Sequence, residues 1–174
     1  HLVIRRQRQM CIRDRNRGDQ LSNEASLKYF LLGSLASCIF IYGIALLYVS
    51  LSIIGLYEIN IAINYIGLNN VPLTSFIGII FIIVGLLFKV AAAPFQAWAP
   101  DVYQGSPTGY VGYMAAVAKA ASFVVLARLI TVSLRFILDQ FDLFFSAVVI
   151  LSVLGGALFA TNQSDLKRLI AYSG

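Results

Sequence analysis

Charge is scarce in this chain. Acidic and basic residues make up 12% of it, where soluble domains carry about 25%, and hydrophobic residues make up 59%. That balance excludes an ordinary water-soluble core. Cysteine is rare as well: Cys11 and Cys38 form neither a disulfide framework nor a metal-ligand spacing. Cys38 lies in an apolar run and reads as a small packed residue. A phosphate-cradling glycine loop, a flavin site and an iron–sulfur cysteine set are all missing, so no cofactor or metal is expected on this chain. Low-complexity stretches, repeat periods and composition shifts between domains are also lacking. The length, 174 residues, accommodates about four membrane spans of roughly 20 residues with short connections, and no separate globular domain.

The few charges are unevenly placed. The net charge is +5, but residues 1–15 hold Arg5, Arg6, Arg8, Arg13 and Arg15 against Asp14 alone. The remaining residues carry eight Lys+Arg against seven Asp+Glu. Basicity is thus confined to one tract, and a nucleic-acid partner is not expected. Residues 5–15 resemble translated adapter sequence; a native basic juxtamembrane arm or part of a targeting segment are the other readings. A signal peptide would need an apolar stretch directly afterwards, and residues 16–23 are polar instead. The chain opens without Met and stops at Gly174 as a new segment begins, which reads as a fragment of a longer protein over residues 16–174.

Hydropathy places spans at about residues 27–49, 75–98, 108–130 and 143–160, with a fifth starting at 166. The expected fold class is an all-α polytopic membrane protein, a bundle of transmembrane helices of which one is broken by proline. In the first span Gly33, Ser34, Ser37 and Gly43 would let a neighbouring helix approach closely. Residues 50–74 alternate apolar and polar side chains, fitting either a short interfacial helix or a covering loop, with Glu58 as a solvated charge. Arg17 and Lys28 at the entrance to the first span and Lys167 and Arg168 after the fourth mark one face as cytoplasmic by the positive-inside rule. Arg128 and Arg135 on the other face count against that orientation, with Asp139 and Asp142 close by. Trp98, Tyr103 and Tyr110 read as an aromatic belt at headgroup level, Gly105 and Pro107 as turn residues, and Asp101 as a cap or loop anchor.

Two charges stand apart from the rest. Lys89 lies roughly 10 residues, or about 15 Å, before the Pro100–Ser106 connection, and Lys119 about 12 residues, or about 18 Å, beyond Pro107. Both depths fall near the middle of a hydrocarbon core about 30 Å thick. A charge at the bilayer centre costs about 2.5–3.5 kcal/mol on insertion scales, which makes intramembrane ionisable residues functional candidates. Snorkelling suits Lys28, Arg128 and Lys167, nearer helix ends, better than these two. Desolvation disfavours the charged form of a lysine and a nearby carboxylate favours it, so an array of the two can pass protons. No carboxylate falls at mid-membrane depth in this sequence. Pro94, five residues from Lys89, removes a backbone donor and breaks the helix, and broken helices mark ion pathways in transporters.

The stretch Phe88-Lys-Val-Ala-Ala-Ala-Pro-Phe-Gln-Ala-Trp-Ala-Pro-Asp-Val-Tyr-Gln-Gly-Ser-Pro-Thr108 resembles the proton-antiporter-like membrane subunits of respiratory complex I, the NADH:quinone oxidoreductase. Residues 23–33 and 165–173 are similar to two further stretches of the same family. The Val102-Tyr-Gln-Gly105 segment, and Lys119 where sister branches L and M usually have histidine, bring it nearest to the subunit N branch (subunit 2 in organelles).

The resemblance implies a proton-translocating, non-redox subunit of a translocase that couples electron transfer from NADH to quinone to proton pumping. By resemblance, Lys89 falls on the lysine of the family's discontinuous seventh helix and Lys119 on that of the eighth, both proton-carrying. A glutamate of the fifth helix and a lysine of the twelfth would lie outside this chain. NADH, FMN, iron–sulfur clusters and quinone would belong to partner subunits. The implied partners are the other membrane subunits of complex I and the lipid bilayer, and the implied location is the bacterial inner membrane ahead of a mitochondrial or plastid one. Gln96 stands where the family often has histidine, which removes one protonatable group. Two other functions fit the same residues: a subunit of a multisubunit cation/proton antiporter, and a structural subunit whose lysines bind lipid headgroups.

Overall fold

The computed structural model describes residues 20–67, 70–135 and 138–173, and the basic tract at residues 1–15 lies outside them. The elements are helical throughout: α1 (Gln20–Leu51), α2 (Leu56–Ile66), α3 (Leu73–Val90), α4 (Trp98–Gly105), α5 (Thr108–Tyr113), α6 (Lys119–Arg128), α7 (Leu138–Thr161) and α8 (Leu166–Ser173). Four helical stretches are long and apolar enough to cross a membrane: Ser22–Leu51, Leu73–Gly105, Thr108–Ser133 and Phe141–Thr161. The first, second and fourth extend the expected spans at both ends and the third only beyond 130, and the second runs helically through residues 100–105, expected as a connection. α8 opens where the fifth segment was expected.

Backbone groups in hydrocarbon must find partners within the protein, so these apolar runs become helices, and their ends fall where the sequence allows. α1 runs without proline until Ser52, which takes a positive φ of 56°. α2 settles the choice between helix and loop in favour of a helix, with Ile59 and Ile63, one turn apart, buried and Tyr57, Glu58 and Tyr65 outward. Gly67 closes it at φ 78°, its N–H donating to the Ile63 carbonyl. Pro72 precedes α3, where a missing N–H costs nothing.

α1 and α3 form the tightest helix pair. An ideal Cβ on Gly78 would sit 2.9 Å from the Gly43 carbonyl oxygen, and one on Gly43 would sit 2.8 Å from that of Gly78. Ser75, fully buried, donates to Ser50 Oγ across the same seam at 2.8 Å. Small residues and an interhelical hydrogen bond are what membrane helices use where hydrophobic contrast with lipid is absent. Gly43 therefore does what the sequence reading assigned to it, while Gly33 has open space around it. Cys38 is exposed, which corrects its reading as packed: α1 turns it to the face away from α3.

Two apolar cores result. The larger joins α3 to α1, α2 and the third span through Ile79, Ile83, Leu47, Ile63, Leu126 and Leu129. The smaller gathers Trp98, Val102, Tyr103, Val111 and Ala171 from α4, α5 and α8, with Met114 just after α5. Trp98 and Tyr103 are buried, which corrects their assignment to a headgroup belt. α4 continues the second span along α1 and packs against α1 and α8, so these aromatic side chains face inward. Tyr110 is half-buried beside the same core.

Candidate functional site

The site grows from the interruption in the second span. Pro94 has no N–H for the Val90 carbonyl, and its ring would collide with that carbonyl in a continuous helix. α3 accordingly ends at Val90, and Ala91 turns left-handed at φ 62° and ψ 39°. Ala92 N–H then donates to the Leu87 carbonyl at 3.0 Å and Phe95 N–H to the Ala92 carbonyl at 2.7 Å. Phe95–Ala97 forms a 3-10 turn before α4 resumes at Trp98.

Non-helical backbone at this depth needs side chains to complete it, and two supply them. Trp98 Nε1 donates to the Phe88 carbonyl at 3.2 Å, while its ring stacks on Phe88 at 5.7 Å. Ser152 of α7 accepts from Ala93 N–H at 2.9 Å. One turn further along α7, Gly155 lies under Gln96, whose Nε2 would be 2.9 Å from a Cβ at that position. Ser152 and Gly155 went unassigned in the sequence reading. The signal they carried was a pair of small residues one helical turn apart, one with a hydroxyl, in an otherwise apolar span.

Lys89 sits in the last turn of α3, exposed on the surface of this chain, with Nζ 5.2 Å from the centroid of the Phe40 ring of α1. Lys119 is buried, 8% exposed, and its Nζ lies 5.9 Å from the centroid of the Tyr103 ring of α4. A π-helical turn over Met114–Ala118 immediately precedes Lys119. Such a turn accommodates one extra residue and resets the direction of the helix beyond it, and it is frequent at functional sites. α3 and α6 pack against each other, so the two lysines belong to neighbouring spans. Among the described residues, ion pairs are made by Lys28 and Arg168 and by neither Lys89 nor Lys119.

Asp101 forms a separate cluster at the end of the bundle. One carboxylate oxygen accepts from Lys28 Nζ at 2.7 Å and the other from an Arg168 guanidinium nitrogen at 2.6 Å. Lys28 also pairs with Glu24 at 2.6 Å. Lys167 Nζ donates to the Ser106 carbonyl at 2.9 Å, and Gln104 Nε2 to Asp165 at 2.6 Å. Lys28 and Lys167 are therefore held by protein groups. Asp101 ties α4 to the start of α1 and to α8, and neither Lys89 nor Lys119 is among its ion-pair partners.

Comparison with known proteins agrees with this geometry. The family model described as "NADH:quinone oxidoreductase/Mrp antiporter, TM" matches residues 9–174. NADH-quinone oxidoreductase subunit N of Mycobacterium tuberculosis (strain ATCC 25618 / H37Rv) is 44% identical over 164 residues, 94% of this chain and 30% of that protein. Subunit N of Flavobacterium psychrophilum is 40% identical over 91% of this chain and 34% of its own length. A chain of respiratory complex I from Thermus thermophilus with bound aureothin superposes with a TM-score of 0.69 at 41% identity, covering 86% of this chain and 31% of that one. A chain of the membrane-bound sulfane sulfur reductase, an archaeal respiratory membrane complex, superposes with a TM-score of 0.73 at 28% identity over 91% of this chain and 32% of that one. The chain thus spans about a third of the length of the relatives it matches. With a broken span, membrane-length helices and a family match over nearly its whole length, this chain belongs to the NADH:quinone oxidoreductase/Mrp antiporter transmembrane family.

Proposed function

We propose that this chain is part of the proton-translocating membrane subunit of a bacterial inner-membrane NADH:quinone oxidoreductase, with Lys89 and Lys119 as consecutive proton carriers. The observation that carries the reading is the burial of Lys119, an ammonium group in an apolar span with no carboxylate partner among the described residues. Such a charge is costly unless it is used. The break at Pro94 supports a path: irregular backbone at membrane depth is tolerated where it is buried in protein or lines a water-filled cavity. Lys89 stands directly before that break.

In this reading the chain contributes conduction and no redox chemistry. Electrons pass from NADH through FMN and iron–sulfur clusters to quinone in partner subunits, and the other membrane subunits of the complex complete the path. The proton enters and leaves the lysine amines. The π turn before Lys119 and the stacked Phe88–Trp98 pair fix where those amines point. A cation/proton antiporter subunit is the second reading, favoured by the family description.

Alanine at Lys89 or Lys119, introduced into the full-length subunit of the assembled complex, tests the proposal. Inside-out membrane vesicles should show NADH-driven proton uptake reduced by about tenfold or more, the scale of losing one proton-transfer group. NADH:ferricyanide activity, which bypasses the membrane arm, should be unchanged. Proton uptake at the unsubstituted rate in both variants would overturn the assignment.

A further inference from the structure

The two intramembrane lysines share a feature that neither burial nor the helix break requires. Each ammonium group faces an aromatic ring from a different element: Lys89 Nζ is 5.2 Å from the Phe40 centroid and Lys119 Nζ 5.9 Å from the Tyr103 centroid. Both distances fall within the roughly 6 Å over which a ring quadrupole attracts a cation. We propose that Phe40 and Tyr103 are positioning residues for proton transfer, holding the ammonium forms of Lys89 and Lys119 against their ring faces where the described residues offer no carboxylate. The inference rests on the proton-carrier reading and deepens it.

The surroundings of each ring favour a fixed placement. Phe40 packs over Gly85, one turn before Lys89 on the same face of α3, and an ideal Cβ on Gly85 would lie 2.8 Å from Phe40 Cβ. A larger residue at position 85 would lift the ring, so the glycine sets its height above Lys89. Tyr103 is 1% exposed and belongs to α4, the element that resumes after the break. α4 is tied down two residues earlier by Asp101, with Lys28 on one side and Arg168 on the other. A movement of α4 would therefore carry the Tyr103 ring toward or away from Lys119. That gives the broken helix a direct means of changing how well the Lys119 charge is held.

The ring face is the quantity to vary. Mono-, di- and trifluorophenylalanine placed at position 40, and separately at position 103, in the full-length subunit weaken the quadrupole stepwise while leaving shape nearly constant. NADH-driven proton uptake in inside-out vesicles should fall progressively with fluorination, reaching about three- to tenfold for the trifluoro ring, and Tyr103→Phe should retain most of it. Phe40→Leu and Tyr103→Leu, normalised to the amount of subunit in the purified complex, should resemble the trifluoro variants. Uptake that stays flat across the fluorination series, while Lys89→Ala and Lys119→Ala abolish it, overturns this inference and leaves the carrier reading intact. Wild-type uptake in the lysine variants overturns both.

Discussion

The side chains that decide this molecule are those that complete backbone or charge where water is absent. Ser152 is the clearest case, because it supplies the acceptor for the Ala93 N–H once Pro94 has ended the helix. Ser152→Ala should lower the stability of the assembled complex by about 1–3 kcal/mol, the cost of stranding a buried donor. Thermal inactivation of NADH-driven proton uptake would measure it, with Ser146→Ala, at an exposed position of the same helix, as a control expected to be silent. Lys89, Lys119 and Pro94 were legible in the sequence because a charge or a proline in an apolar run is conspicuous. Ser152 was not: a hydroxyl in a span can always bond its own preceding turn, and only tertiary placement shows that it bonds elsewhere. Trp98 and Tyr103 differ from the expected headgroup belt for a related reason, since an aromatic beside a turn has the same local signature at a membrane surface and inside a packed helix junction.

Among the elements, the α1–α3 seam and the interrupted second span carry the architecture. The seam depends on backbone approach at Gly43 and Gly78, where any Cβ meets a carbonyl oxygen that cannot move aside. Gly78→Ala should therefore destabilise the subunit by about 1–3 kcal/mol, the range for overpacking a close contact. Gly33→Ala, which meets nothing within 4 Å, should have no such cost. Reduced yield of assembled complex for the first and normal yield for the second would bear this out; equal yields would contradict it. The spans themselves were readable from hydropathy, since backbone self-satisfaction in lipid leaves little alternative to helix. The π turns at Met114–Ala118 and Leu129–Ser133 were not readable. The second is locked from outside its own helix, by Asn60 Nδ2 donating to the Val132 carbonyl at 2.6 Å and Ser133 Oγ to that of Leu56 at 2.9 Å.

The whole molecule is organised as two ends joined by apolar spans. At one end Asp101 of α4 gathers the start of α1 and the start of α8; at the other, α2 is bonded to the end of the third span. Lys28 and Arg168, assigned from loop charge to the same side of the membrane, do meet there, on Asp101. Asp101→Ala would leave Arg168 without its anion and Lys28 with Glu24 alone, so heat tolerance of the detergent-purified complex should fall, and Asp101→Glu should restore part of it. The partners are about one-third exposed, so the difference should shrink as salt rises.

Between those ends Lys89 and Lys119 occupy neighbouring spans, each facing a ring, with the helix break beside the first. The number of protons taken up per NADH oxidised by vesicles containing the full-length subunit, with Lys119 changed to alanine, tests their proposed role most directly. Coupled proton uptake should collapse while the complex remains assembled and its flavin-site activity persists. An unchanged proton-to-NADH ratio at an unchanged rate would contradict it.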